Sequence, residues 1–123
     1  MTERALIALL LFVLASCGGK PATGNEVAML DNTFRPDTIE VVAGTEMVFK
    51  NEGRSPHNVI ANDGSFDSRD TIGGNHESGD SWTVTIAEPG TYPYYCSLHA
   101  VQRDDGTWKG MVGTLVVTAE GAK

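Results

Sequence analysis

The chain has little of what most alternative functions would require. Of its 123 residues only two are cysteines and three are histidines, which rules out a small domain stapled by several disulfides. Bases are few as well: nine Lys and Arg stand against 16 Asp and Glu, a formal charge of −7. A surface of that sign argues against nucleic acid and suits a basic partner, or simply solubility. No segment after residue 16 shows sustained helical periodicity, and no second apolar run is long enough to span a membrane. There is no internal repeat. Nor does a Ser-His-Asp set or a carboxylate pair stand out, because the acids are spread along turns.

The one apolar run lies at the start, "MTERALIALLLFVLASC". It falls short of the ~20 residues of a comfortable span and reads as the hydrophobic part of a signal peptide over 1–16. Its end, "LASC", resembles a bacterial lipobox, which makes Cys17 the lipidated first residue of the mature protein. "GGKPATGN" then extends this into a small, polar tether over 17–25. The expected location is the cell envelope: exported and lipid-anchored, on the periplasmic or extracytoplasmic face. Cleavage removes Glu3 and Arg4 together, so the charge stays at −7. About a hundred residues remain, enough for one domain with a single core, placed at 26–123.

Within that domain the pattern is of strands. "EVAML", "TIEVV", "EMVFKN", "HNVIA", "SWTVTIA", "TYPYYC" and "GTLVV" are short β-rich runs parted by turn residues. The segment 62–80 is polar and Gly-rich and reads as a long loop with a short turn of helix. About seven such runs in one domain predict an all-β, antiparallel Greek-key sandwich of seven to eight strands. An immunoglobulin-type domain would carry a cysteine pair across its sheets, and here the second cysteine lies outside the domain.

That leaves Cys96 as a lone thiol in an oxidising compartment, a liability unless it is buried or ligated. Alternation puts Tyr92, Tyr94 and Cys96 on one face of their strand, opposite Pro93 and Tyr95. His99 follows in the next loop, Met111 returns the chain to the sheet, and His57 opens a distant strand. A thiolate and two imidazoles with a weak thioether make the blue-copper electron-transfer set. Zinc prefers a closed tetrahedral set without thioether. Met29 and Met47 read as core, and His76 as a solvated loop residue.

Two segments now carry a family resemblance. "FRPDTIEVVAGTEMVFKNEGRSPHNVIA" is similar to the first half of the cupredoxins, and "GTYPYYCSLH" with "GMVGTLVV" to the second. Within them it resembles the plastocyanin, halocyanin and pseudoazurin-like type-1 copper proteins, over about 26–118. This resemblance implies one copper ion, Cu(I)/Cu(II), held by His57, Cys96 and His99 as equatorial ligands with Met111 axial. It implies that Asn58 braces the ligand loop and that Tyr95 lies near the partner surface, beside His99. The departure is eleven residues, "AVQRDDGTWKG", between His99 and Met111 where relatives keep only a few. Gln102 sits at the spacing those relatives give their methionine, so it stands as the alternative axial ligand.

The function so implied is a monomeric one-electron shuttle. It would meet a redox protein transiently, such as a basic cytochrome or an envelope oxidoreductase. Multicopper enzymes share the fold but need further domains and copper centres, so catalysis is not expected. The rival is a copper-binding or delivery lipoprotein, although such proteins favour open Met- and His-rich sites. The long loop with Asp104, Asp105 and Trp108 is expected to reshape the docking surface near His99.

Overall fold

The computed structural model describes residues 22–120. The segment read as a signal peptide, Cys17 and most of the segment read as a tether therefore lie outside the described residues. Eight strands follow in order: β1 Glu26–Met29, β2 Phe34–Arg35, β3 Thr38–Val42, β4 Glu46–Asn51, β5 Ile60–Ala61, β6 Ser81–Thr85, β7 Gly90–Gln102 and β8 Trp108–Thr118. One short helix, α1 Arg69–Ile72, interrupts them. Ala22, inside the segment read as tether, already bridges Ile39.

The strands form two four-stranded sheets, β2-β1-β4-β6 and β3-β8-β7-β5. This is the expected all-β sandwich, with mixed sheets: β1 pairs parallel to β4, and β3 parallel to β8. Parallel neighbours need a crossover between them, and here the chain crosses to the other sheet before returning. Residue alternation has the same period of two whatever the partner's direction. Strand direction was therefore invisible in the pattern.

The inner faces carry the alternating apolar residues. In β4, Met47 and Phe49 are buried, and in β8 Met111, Leu115 and Val117 are buried. Aromatic rings lock the centre. Phe34 and Phe49 both meet Tyr94 edge-on, with centroids 4.8 and 5.4 Å away, and Phe49 lies 5.6 Å from Trp82. Each such pair contributes about 0.5–1.5 kcal/mol beyond its buried area. Tyr94 also covers Gly113, its cross-strand partner. A Cβ there would press on the ring at 2.5 Å. Met29 and Met47 are core residues, as expected.

His76 corrects the sequence reading. It is fully buried rather than solvated. Its backbone exchanges two hydrogen bonds with His57, at 3.0 and 2.8 Å. That pairing fixes the polar segment against the sandwich and turns the imidazole inward, 6.2 Å from Trp82.

Candidate metal centre

The centre begins as a strand irregularity. Cys96 and His99 are three apart, and in a regular strand that spacing would send them to opposite faces. The β7–β8 ladder breaks between Tyr95↔Val112 and Ala100↔Gly110, which sets residues 96–99 against residue 111 alone. Such a bulge re-aims side chains. Here it lets the cysteine and the histidine turn toward one point, with Met111 opposite. The strands rejoin at Gly110, where φ is +106° and a Cβ would sit 2.6 Å from the His99 carbonyl oxygen. Only glycine fits that backbone and that approach.

His57 arrives from the other side, held by its backbone exchange with His76. Cys96 Sγ lies 3.8 Å from His57 Nδ1 and 3.6 Å from His99 Nδ1. The three donor atoms fall within 4.8 Å of one another, and this is the group able to hold a metal among the described residues. The geometry fits a first-row ion. Metal–donor bonds of about 2.0–2.3 Å at trigonal to tetrahedral angles place sulfur and nitrogen about 3.6–3.8 Å apart. Burial pushes the pKa of His57 down, and the neighbouring His99 adds to this, while Asp31 opposes both. A neutral imidazole with a free lone pair is the form that binds a metal.

Asn58 ties the two halves of the site together. Its Nδ2 donates to Asn75 Oδ1 and to Ser97 Oγ, both at 2.9 Å, and its Oδ1 accepts the Ser97 N–H at 2.8 Å. The residue after His57 thus grips the residue after Cys96, and with it the ligand loop.

The two axial candidates part company. Met111 is fully buried on the inner face of β8. Gln102 is exposed, and its Nε2 donates to the Gly106 carbonyl at 3.1 Å. Residues 100–110, read as a surface loop, instead continue β7 and β8 into a hairpin. The hairpin lies back on the sheet, for Trp108 stacks on Tyr95 with centroids 3.9 Å apart and planes 7° from parallel. Tyr95 is therefore only half-buried, under a tryptophan that the sequence did not pair with it.

Two supporting residues escaped the sequence reading. Asn51 donates to the Ser55 and His76 carbonyls at 2.9 and 3.0 Å and accepts the Gly53 N–H at 2.9 Å. Asp31 accepts the N–H groups of Arg54 and Ser55 and stands 3.9 Å from His57 Nε2. Asn51 holds its own turn through Gly53 and Ser55 but meets His76 25 residues on, and Asp31 meets Arg54 and Ser55 23 and 24 residues on, contacts that no short stretch of sequence marks.

Fold and ligand set together define a type-1 cupredoxin with one copper ion. Residues 22–118 match the family described as copper binding proteins, plastocyanin/azurin family, and the chain belongs to it. Plastocyanin from Lactuca sativa is 33% identical over 95 residues, covering 68% of this chain and 86% of that protein. The chloroplastic plastocyanin major isoform of Arabidopsis thaliana is 32% identical over 95 residues and 68% of this chain. The chain spans about half, 51%, of that relative's length. Among solved structures, a novel purple cupredoxin from Nitrosopumilus maritimus superposes with a TM-score of 0.60 at 22% identity, covering 77% of this chain and 100% of that one.

Proposed function

We propose that the protein is a monomeric one-electron carrier at the cell envelope, anchored through lipidated Cys17 and exchanging electrons with transient redox partners. The observation that carries this reading is the buried Cys96 sulfur, within 3.8 Å of one imidazole nitrogen and 3.6 Å of another. Bound copper supplies the Cu(I)/Cu(II) couple there. Among the described residues no helix is long and apolar enough to cross a membrane.

The ligands differ in exposure. His57 and Cys96 are fully buried, whereas His99 is only half-buried. The edge of His99 is therefore the natural point for electrons to enter or leave. Leu98 and Val101 beside it are 47% and 62% exposed, an apolar rim suited to brief encounters. The acidic charge of the chain would set the encounter rate with a basic cytochrome or an envelope oxidoreductase. Met111 is assigned as the axial ligand, supported by its burial opposite the bulge and by the outward amide of Gln102.

Optical and EPR spectra of the full chain with one equivalent of Cu(II) test this. An intense thiolate-to-copper band with narrow hyperfine splitting is expected, lost on Cys96→Ser. Met111→Leu should move the reduction potential while Gln102→Leu leaves it in place. A pale spectrum with wide splitting would turn the assignment to copper handling without electron transfer.

A further inference from the structure

His57 has a second ring nitrogen. With Nδ1 turned to the Cys96 sulfur, Nε2 is buried and has no hydrogen-bond partner among the described residues. Asp31 Oδ1 stands 3.9 Å from it. That carboxylate is held in place: Oδ1 accepts the N–H of Arg54 at 2.6 Å and of Ser55 at 3.1 Å. These backbone bonds hold its carboxyl below the usual carboxylate range, so it is charged. Gly53 completes the fit, because a Cβ there would collide with the same oxygen. Asn51 braces the turn from behind through Gly53 and Ser55. The 51–55 turn is thus shaped around an acid that faces a metal ligand.

We propose that Asp31 is a positioning residue of the copper centre, an inference that rests on the type-1 reading above. A histidine that ligates through Nδ1 carries its proton on Nε2, and the group facing that proton sets the tautomer, the ring orientation and the basicity of the ligand. At 3.9 Å the contact is longer than a hydrogen bond, so the carboxylate acts by its charge. A negative charge beside His57 stabilises the more positive oxidised centre and lowers its reduction potential. The Asp31 side chain is 46% exposed, and water screens part of the effect.

The test is Asp31→Asn in the full chain. Asparagine keeps an acceptor for the Arg54 and Ser55 N–H groups, so the turn survives while the charge goes. Cu(II) affinity should fall about tenfold more than Cu(I) affinity, a rise of about 59 mV for a one-electron couple, with the blue band retained. Nitrogen-15 NMR of the copper-free protein gives a second reading that does not depend on redox. His57 should be the Nε2–H tautomer in the unsubstituted chain, less so in the variant. An Nδ1–H tautomer in the unsubstituted chain overturns the role even if the variant fails to fold. A blue band in both proteins with unchanged potential and tautomer also overturns it, and leaves the carrier reading standing. The absence of a blue band from both overturns the carrier reading and this one with it.

Discussion

His76 shows how burial alone sets a residue's chemistry. Its ring is fully buried, and neither nitrogen has a partner among the described residues. Burial pushes its pKa below the ordinary 6.5. As pH falls through about 6.5, the unfolded chain takes up this proton before the folded one does, so acidification favours unfolding. Denaturant midpoints of the copper-free chain should be steady above that pH and drop below it, and His76→Phe should flatten the slope. An unchanged slope would assign the acid sensitivity elsewhere. His57, also shifted down, acts in the same direction until a metal holds it unprotonated. At this scale the ligands His57, Cys96 and His99 were legible because their donor chemistry belongs to the residue itself. The inward turn of His76 was not, because it follows from pairing with His57.

At the scale of the element, the hairpin beyond His99 departs most from the sequence reading. The signal was present as Asp105-Gly106, a hairpin turn pair between two β-capable runs. Asp105 Oδ1 accepts the Thr107 N–H and hydroxyl at 3.0 and 2.7 Å, and the Arg103 N–H donates to the Thr107 carbonyl at 2.7 Å. What no local pattern could indicate is the Tyr95–Trp108 stack, since the bulge brings those rings together. Trp108→Ala should lose about 0.5–1.5 kcal/mol of stacking beyond area and speed hydrogen exchange across 100–110, with the blue band unaltered. Gly110→Ala should do more. It strains a φ of +106° and drives a methyl into the His99 carbonyl, so hyperfine parameters should shift together with stability. If both variants leave exchange rates at the unsubstituted level, the hairpin is not anchored by these contacts.

Over the whole molecule, a chain of −7 formal charge carries a site whose exposed edge is apolar. Electron exchange with a basic cytochrome should therefore slow as ionic strength rises from 0.01 to 0.15 M, where the screening length shrinks from about 30 to about 8 Å. The bimolecular rate constant from stopped-flow mixing measures this directly. A rate indifferent to salt would mean that the acids do not steer the encounter.

The strand count, the inward faces and the identity of the donors were determined by the chain's own pattern. Alternation and ligand chemistry are local properties, complete within a few residues. Parallel pairing, the bulge that turns Cys96 and His99 to one point, and the burial of His76 were decided only by tertiary structure. So was the acid behind His57. Each of these depends on which distant segment becomes a neighbour: β8 for the bulge, the His57 segment for His76, and the 51–55 turn for Asp31. Hydrogen-bond registry between remote strands sets that proximity, and no short stretch of sequence contains it.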